Sequence, residues 1–370
     1  MKARRLLKSS LLVASVLVMG VGCQVLPDST PNQASNEAGT SQNEPQTEKG
    51  YYPAVIKDDQ YPLNEARGLS VGTSSQANRE QMERSTYQML SETFPTTDYR
   101  LREGQVITKD QLSSWLGAKN NDNKDGLNPE KSASDKENDF EPHYLNTILE
   151  YDLLGNKQDT KDKLQAISLT LVLNQEDQAS ADSKVVAIDK DTAIKQGKTI
   201  AQEVLNRLRQ KEEYKQIPIQ FYLFYNAPAD DLSGGSVVAS TQVSPDSRAF
   251  GDWTTYNTEQ VTLGVDKAPN QEDTTNFERY REEVATVFPE LSGLSGVATY
   301  EDGKLEQLTI TVHTPFDGYS ETAALTQQAI TKANSTFSKN INIKIKVQGP
   351  SGNTALAERA GGGEFSMMIF

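Results

Sequence analysis

Two runs of strand and helix patterns constrain the fold of this chain more than any other feature. In the later run, residues 304–314 predict a strand, residues 320–337 an amphipathic helix, and residues 341–348 a strand with apolar residues at alternate positions. Residues 364–370 predict a last strand, and Asp302-Gly303 predicts a hairpin turn with the preceding residues 296–300. A sheet packed with helices is therefore expected here.

The earlier run has the same order. Residues 164–174 predict a strand, residues 191–210 a helix capped by Asp191, and residues 217–226 and 236–243 two further strands. The two runs agree in pattern and not in residues, so a repeated strand-helix-strand-strand core and a chance agreement both explain them.

Both sides of the predicted strand at residues 217–226 are apolar. Phe221, Leu223 and Tyr225 face one way, and Tyr222 and Phe224 face the other. This pattern favours a central strand covered on both faces over a ligand groove.

The sequence predicts an α+β protein with two domains, each a mixed or antiparallel sheet packed with helices. Upstream of the two runs, helices are predicted at residues 78–94, 111–116 and 144–154, and a polar loop at residues 117–140. The domains are expected at residues 51–265 and 275–370, joined by a polar stretch.

The amino terminus has the pattern of a lipoprotein signal peptide. Residues 11–21 are apolar but too short to span a bilayer, and basic residues precede them. Cys23, the only cysteine of the chain, follows directly. Val21 and Gly22 fit the bacterial lipobox, although Gly20 stands where leucine is usual. We expect cleavage between Gly22 and Cys23 and diacylation of the Cys23 thiol. The alternative is a cleaved, secreted protein with a free thiol.

A polar segment at residues 24–50 follows, without aromatic residues and rich in Ser, Thr, Asn, Gln and Pro. Such a segment buries too little apolar surface to fold, so residues 23–50 are predicted to be a tether between a lipid anchor and the folded body. Loss of residues 1–22, which carry four basic residues and no acid, changes the formal charge from −14 to −18. This charge disfavours nucleic acid as a partner. The expected location is the extracellular face of the cytoplasmic membrane.

Motifs for catalysis and metal binding are incomplete. Ser70 lies in a Gly-x-Ser-x-Gly motif, but no predicted strand precedes it. Residues 121–126 (NDNKDG) resemble the start of a calcium loop, but Ser132 replaces the bidentate glutamate. His143 and His313, the two histidines, are predicted one to each domain and form no metal pair. We therefore expect no enzymatic activity, metal or other cofactor.

Four segments in a specific order resemble the CamS family of sex-pheromone lipoproteins of Gram-positive bacteria. They are residues 51–69 (YYPAVIKDDQYPLNEARGL), 101–116 (LREGQVITKDQLSSWL), 125–129 (DGLNP) and 143–154 (HYLNTILEYDLL). The resemblance continues with VLNRLR and IPIQFYLF in residues 204–224 and is looser in the C-terminal domain.

The resemblance implies that lipoprotein signal peptidase cuts the signal peptide and that its last residues are released as an apolar pheromone. A peptide receptor in a recipient cell then senses the peptide and triggers conjugative plasmid transfer. The candidate peptide consists of Val16, Leu17, Val18, Met19, Gly20, Val21 and Gly22. The family supplies no catalytic residues, so the folded body is expected to bind a partner of unknown identity.

Two other functions are compatible with parts of the sequence. A substrate-binding lipoprotein of an uptake system would share the anchor and tether, but it would have several parallel strand–helix–strand units. A secreted hydrolase acting through Ser70 is the third interpretation.

Overall fold

The computed structural model describes residues 50–71, 75–130, 140–180 and 182–370. Two six-stranded sheets dominate this part of the chain. The first sheet contains strands β1 (Tyr99–Glu103), β2 (Leu145–Gly155), β3 (Leu164–Asn174), β6 (Ile219–Asn226), β7 (Ser236–Val243) and β8 (Thr254–Thr255), and a small separate ribbon contains β4 (Glu176–Asp177) and β5 (Val186–Ala187). The second sheet contains β9 (Thr258–Thr262), β10 (Gly293–Glu301), β11 (Lys304–His313), β12 (Asn342–Gly349), β13 (Gly352–Arg359) and β14 (Ser366–Ile369).

In the described segments, six α-helices pack with these sheets. They are α1 (Arg67–Val71), α2 (Gln76–Thr93), α3 (Lys109–Leu116), α4 (Lys190–Leu208), α5 (Gln271–Val287) and α6 (Tyr319–Thr336), and a 3-10 turn spans Glu212–Tyr214. The predicted α+β class is confirmed. The helices predicted at residues 78–94 and 111–116 correspond to α2 and α3.

The two sheets have the same topology. The strand order is β1-β2-β3-β6-β7-β8 in the first and β9-β10-β11-β12-β13-β14 in the second. All pairs of neighbouring strands are antiparallel except the central ones, β3 with β6 and β11 with β12. Each parallel pair is connected by one long helix, α4 or α6, as a crossover between parallel strands requires. The strand-helix-strand-strand repeat is thus present in the topology of both sheets.

The first sheet is covered on both faces. Phe221 and Leu223 of β6 pack in a core with α4, whereas Tyr222 and Phe224 pack in a second core with α2. All four side chains are buried. The predicted central, doubly covered strand at residues 217–226 is confirmed.

The second sheet has a helical cover on one face. Alternate residues Ile343, Ile345 and Val347 of β12 are buried in a core with α5 and α6. Lys344 and Lys346, between them, point to the opposite face.

The helix predicted at residues 144–154 is wrong, because this segment forms β2. The apolar residues Leu145, Ile148 and Leu149 have helical spacing. In the strand, Ile148 faces the core with α4, whereas Leu149 and Leu153 pack in the core with α2. A strand that is buried on both sides lacks regular alternation, so its sequence resembles that of a helix.

The predicted N-cap of α4 is also corrected. The N-cap of α4 is Asp189, whose carboxylate accepts the Thr192 N–H at 2.9 Å, and Asp191 lies in the first helical turn. The change from the first sheet to the second lies between β8 and β9, ahead of the predicted join at residues 266–275. Residues 266–275 contain the end of a loop and the start of α5.

Candidate functional site

The predicted lipidation and cleavage residues lie outside the described part of the chain. This applies to Cys23, to the candidate peptide at residues 16–22 and to the tether up to residue 49. The structure does describe how the folded body begins. The Tyr52 hydroxyl donates to the carbonyl of Phe94 (2.6 Å), and the Tyr52 N–H donates to the Tyr87 hydroxyl (2.7 Å). The chain therefore enters the body against α2.

The incomplete catalytic motif lies in a helix, and the incomplete calcium motif lies in a turn. The backbone of Ser70 lies within α1, so the strand-to-helix turn of a nucleophile elbow is missing at this position. In the calcium-like loop, the side-chain oxygen of Asn120 accepts the N–H groups of Asp122 and Asn123. The Asn123 amide donates to the carbonyl of Ser114 (2.7 Å). These bonds form a turn that is anchored to α3.

The two histidines lie in or next to strands of different sheets. His143 precedes β2, and its N–H donates to the carboxylate of Asp177 (2.7 Å). His313 is exposed at the end of β11. In the described segments, no group of three or more His, Cys, Asp or Glu residues is arranged to hold a metal ion.

A pocket of about 240 Å³ lies where α2 crosses the edge of the first sheet. We call it the tyrosine pocket because three tyrosines line it. Residues from α1, α2, β1, β2 and the loop before α1 contribute to its wall. They are Tyr61, Asn64, Arg67, Arg79, Met82, Glu83, Tyr87, Leu101, Glu103, Ile148, Leu149, Glu150 and Tyr151.

Two carboxylates of the tyrosine pocket have different surroundings. Glu103 is held in place, since one oxygen accepts the Asn64 N–H (2.8 Å) and the other lies 3.3 Å from the Arg67 guanidinium. Burial raises the pKa of Glu83, and the nearby charge of Glu103 adds to this effect, although Arg67 and Arg79 act in the opposite direction. The pocket therefore contains a carboxylate whose charge is incompletely compensated.

The tyrosines of the pocket share this environment. Burial raises the pKa of Tyr151, and the charges of Glu83 and Glu103 raise it further. Burial likewise raises the pKa of Tyr61. The phenols are therefore neutral at physiological pH, and their rings are uncharged surfaces next to the two carboxylates.

A buried carboxyl pair consists of Glu150, which lines the pocket, and Asp152. The two oxygens of Glu150 accept the N–H groups of Val106 (2.7 Å) and Ile107 (2.9 Å). One oxygen of Asp152 accepts from the Arg102 guanidinium (2.8 Å), and its other oxygen is buried without a hydrogen-bond donor. Burial raises the pKa of Glu150, and the charge of Asp152 adds to the shift. Burial also raises the pKa of Asp152, and Arg102 opposes the increase. The pair thus favours a shared proton.

This pair also fixes a loop. Gly104 lies directly against the Glu150 side chain, where an added Cβ atom would be 2.2 Å from the Glu150 carboxyl carbon. The loop between β1 and α3 can therefore close over Glu150 only with glycine at position 104.

A second concave surface lies between α2 and the uncovered face of the second sheet. This groove of about 520 Å³ is lined by polar side chains from both sides, including Gln81 and Arg84 of α2 and Thr309 of β11. Lys346 of β12 lies 3.9 Å from Glu80 of α2 across it. The mixed polar lining of the groove does not favour one class of ligand.

The tyrosine pocket was not predicted from the sequence, although several of its residues belong to the segments that carry the family resemblance. Tyr61, Asn64 and Arg67 belong to the segment 51–69, which carries part of the family resemblance. Leu101 and Glu103 belong to the segment 101–116, and the β2 residues of the pocket belong to the segment 143–154. Three segments that are distant in sequence thus meet at one cavity, which only the fold reveals.

None of the helices in the described ranges is long and apolar enough to cross a membrane.

A family model described as the CamS sex pheromone cAM373 precursor matches residues 61–364. The comparison with curated proteins gave no match.

Two solved structures have related folds. The sex pheromone precursor from Lactobacillus salivarius subsp. salivarius is 29% identical, with a TM-score of 0.79, over 88% of this chain and 98% of that chain. The C-terminal domain of the sex pheromone staph-cAM373 precursor from Staphylococcus aureus is 23% identical, with a TM-score of 0.66, over 80% of this chain and 99% of that chain. The second likeness shows the fold alone, whereas the family model matches most of the sequence. The chain therefore belongs to the CamS sex pheromone precursor family.

Proposed function

We propose that this protein is the precursor of a short apolar signalling peptide and, after cleavage, a lipid-anchored surface protein. Lipoprotein signal peptidase cuts between Gly22 and Cys23, and a diacylglyceryl group on Cys23 anchors the mature chain to the membrane. Two acyl chains hold a protein on a bilayer more firmly than one. Membership of the pheromone precursor family is the observation that carries this proposal.

The candidate peptide is VLVMGVG, residues 16–22. Its release would provide a ligand for a peptide receptor in a recipient cell and so induce conjugative plasmid transfer. The order of elements supports this proposal, because an apolar leader, a single cysteine and a polar segment precede the start of the fold near Tyr52. The family match begins at residue 61 and so rests on the folded body alone.

For the body we propose a binding role without catalysis, with a partner other than nucleic acid. The formal charge of −14 for the whole chain opposes association with phosphate backbones. The uptake-protein alternative is not supported, since each six-stranded sheet has one parallel strand pair among its described strands. A doubly wound domain would have several.

Fractionation of cells that express the wild-type chain or Cys23→Ala tests the anchor. We expect the wild-type protein in the membrane fraction and the variant to keep its leader, because the processed cysteine is missing. A matched control is Ser29→Ala in the tether, which should fractionate as the wild type does. Equal fractionation and equal apparent mass of the wild type and Cys23→Ala would contradict the proposal.

Mass spectrometry of the culture medium tests the peptide. We expect VLVMGVG, or a shorter fragment with the same carboxyl end, in medium from wild-type cells and its loss with Cys23→Ala. A synthetic VLVMGVG that leaves the mating frequency of plasmid-bearing responders unchanged would remove the pheromone role and leave the anchor.

A further inference from the structure

The tyrosine pocket has the size of a site for a small organic molecule. Its volume of about 240 Å³ holds a ligand of a few to a dozen heavy atoms. Its mouth is open to solvent, since Tyr61 is 41% exposed and the Arg67 side chain is 55% exposed. A ligand can therefore enter without unfolding the wall.

The charges of the pocket favour a cation. Glu103 is buried more deeply than its partner, with 18% of its side chain exposed against 55% for Arg67. Much of the arginine charge is therefore solvated, whereas the Glu103 carboxylate is largely shielded from water. The pKa of Glu83 is raised because partial desolvation outweighs the attraction of Arg67 and Arg79. A ligand cation would offset the partial burial of Glu103 and would be attracted to Glu83, whose side chain is exposed to solvent.

The uncharged surfaces of the pocket favour an organic cation over a metal ion. Tyr61, Tyr87 and Tyr151 supply aromatic rings, whose faces attract ammonium groups. Met82 and Leu101 add apolar surface, which suits carbon substituents. The hydroxyl of Tyr87 already accepts the Tyr52 N–H, so this ring is held in position.

We propose that the tyrosine pocket binds a small molecule through an organic ammonium group, with Glu83 and Glu103 as counter-charges and the tyrosine rings as its walls. Primary amines and quaternary ammonium compounds share this chemistry. The site lies entirely in the folded body, so it does not depend on lipidation or peptide release.

Isothermal titration calorimetry of the full chain in non-ionic detergent tests the proposal with two matched pairs of probes. The first pair is choline and its neutral analogue 3,3-dimethylbutan-1-ol, and the second is n-butylamine and butan-1-ol. We expect saturable binding of at least one cation, at least about tenfold tighter than that of its neutral analogue. The pair that responds identifies the ligand as a quaternary ammonium compound or a primary amine. Absence of binding by both cations, or equal binding of cation and neutral analogue, would overturn the proposal.

Variants locate the site. Glu83→Gln removes one counter-charge and should weaken binding of the cation about tenfold, and Tyr61→Leu removes a ring at the mouth and should weaken it several-fold. Glu80→Gln, three residues away on α2 and in the groove, is the matched control and should bind as the wild type does. Circular dichroism establishes that each variant is folded. Binding that Glu83→Gln and Tyr61→Leu leave unchanged would place the cation elsewhere and overturn the assignment.

Discussion

The two six-stranded sheets have the same strand order but different surroundings, and this difference is visible in their sequences. In β3, eight consecutive residues from Ala166 to Leu173 are buried, because helices cover both faces of the first sheet. In β11, buried and less buried residues alternate from Leu308 to His313, because α5 and α6 cover one face. The same topology thus accepts a three-layer or a two-layer packing, and the residue pattern records which one is formed.

The largest loss of stability is expected for a substitution at the centre of the first sheet. Phe224 is fully buried against α2, so Phe224→Ala should lower the free energy of unfolding by about 3–5 kcal/mol. Thr309→Ala, on the uncovered face of the second sheet, should change it by less than about 0.5 kcal/mol. Urea unfolding measures both. Similar losses for the two variants would show that the faces are not covered differently.

Substitution of a buried glycine tests the close packing on the covered face of the second sheet. A Cβ atom on Gly296 would lie 2.4 Å from the ring of Phe277 on α5, so Gly296→Ala should destabilise the fold by about 1–3 kcal/mol. Gly293, at the start of the same strand, has open space around a Cβ atom, and Gly293→Ala is the control. Equal unfolding midpoints for the two variants would refute this packing of α5.

The carboxyl pair predicts a pH dependence that originates in the first sheet. Glu150 has a raised pKa in the folded state, so the folded protein binds more protons than the unfolded chain at pH values above about 4.3. Stability should therefore fall as the pH rises from this value through the folded-state pKa, with a slope of up to about 1.4 kcal/mol per pH unit for one proton.

The Glu150→Gln variant has no titratable group at this position. Its stability should therefore depend less steeply on pH, whatever the effect on absolute stability. Glu306→Gln, a substitution of an exposed glutamate on β11 of the second sheet, is the control and should keep the wild-type slope. Urea unfolding at several pH values between 4.5 and 8 measures the slope. A Glu150→Gln variant with the wild-type slope would rule out the shared proton.

The smallest predicted effect concerns the two crossover helices. The N-terminus of α4 is capped by the Asp189 carboxylate, whereas Gly318 at the N-cap of α6 has no side chain to do so. Asp189→Ala should therefore destabilise the protein more than Asp191→Ala, because the Asp191 side chain lies in the first helical turn and does not provide the cap. Thermal unfolding can rank the two variants. The reverse ranking would restore Asp191 as the cap.

Much of the fold could be predicted from the sequence where one face of an element is exposed. The alternation in β12 and the apolar stripe of α6 each follow from a single covered face. β2 could not be predicted in the same way, since its two buried faces remove the alternation and leave a helical spacing. The N-cap of α4 was predicted two residues too late, because Asp189 and Asp191 are both acceptable caps in isolation.

The candidate site was harder to predict than the fold. Tyr61, Glu83, Glu103 and Tyr151 belong to four separate elements or loops, and none of them carries a motif. Their proximity depends on how α2 crosses β1 and β2, which is a tertiary property. By contrast, the predicted lipobox at Val21, Gly22 and Cys23, with Gly20 in place of the usual leucine, is a local pattern of adjacent residues.

We propose that this chain is a precursor that is cut between Gly22 and Cys23. The most direct test is mass spectrometry of the N-terminal peptide of the mature protein extracted from membranes. We predict that this peptide begins at Cys23 and carries a diacylglyceryl group on its thiol. A mature protein that begins at another residue, or an unmodified Cys23 thiol in the membrane-extracted protein, would contradict the account.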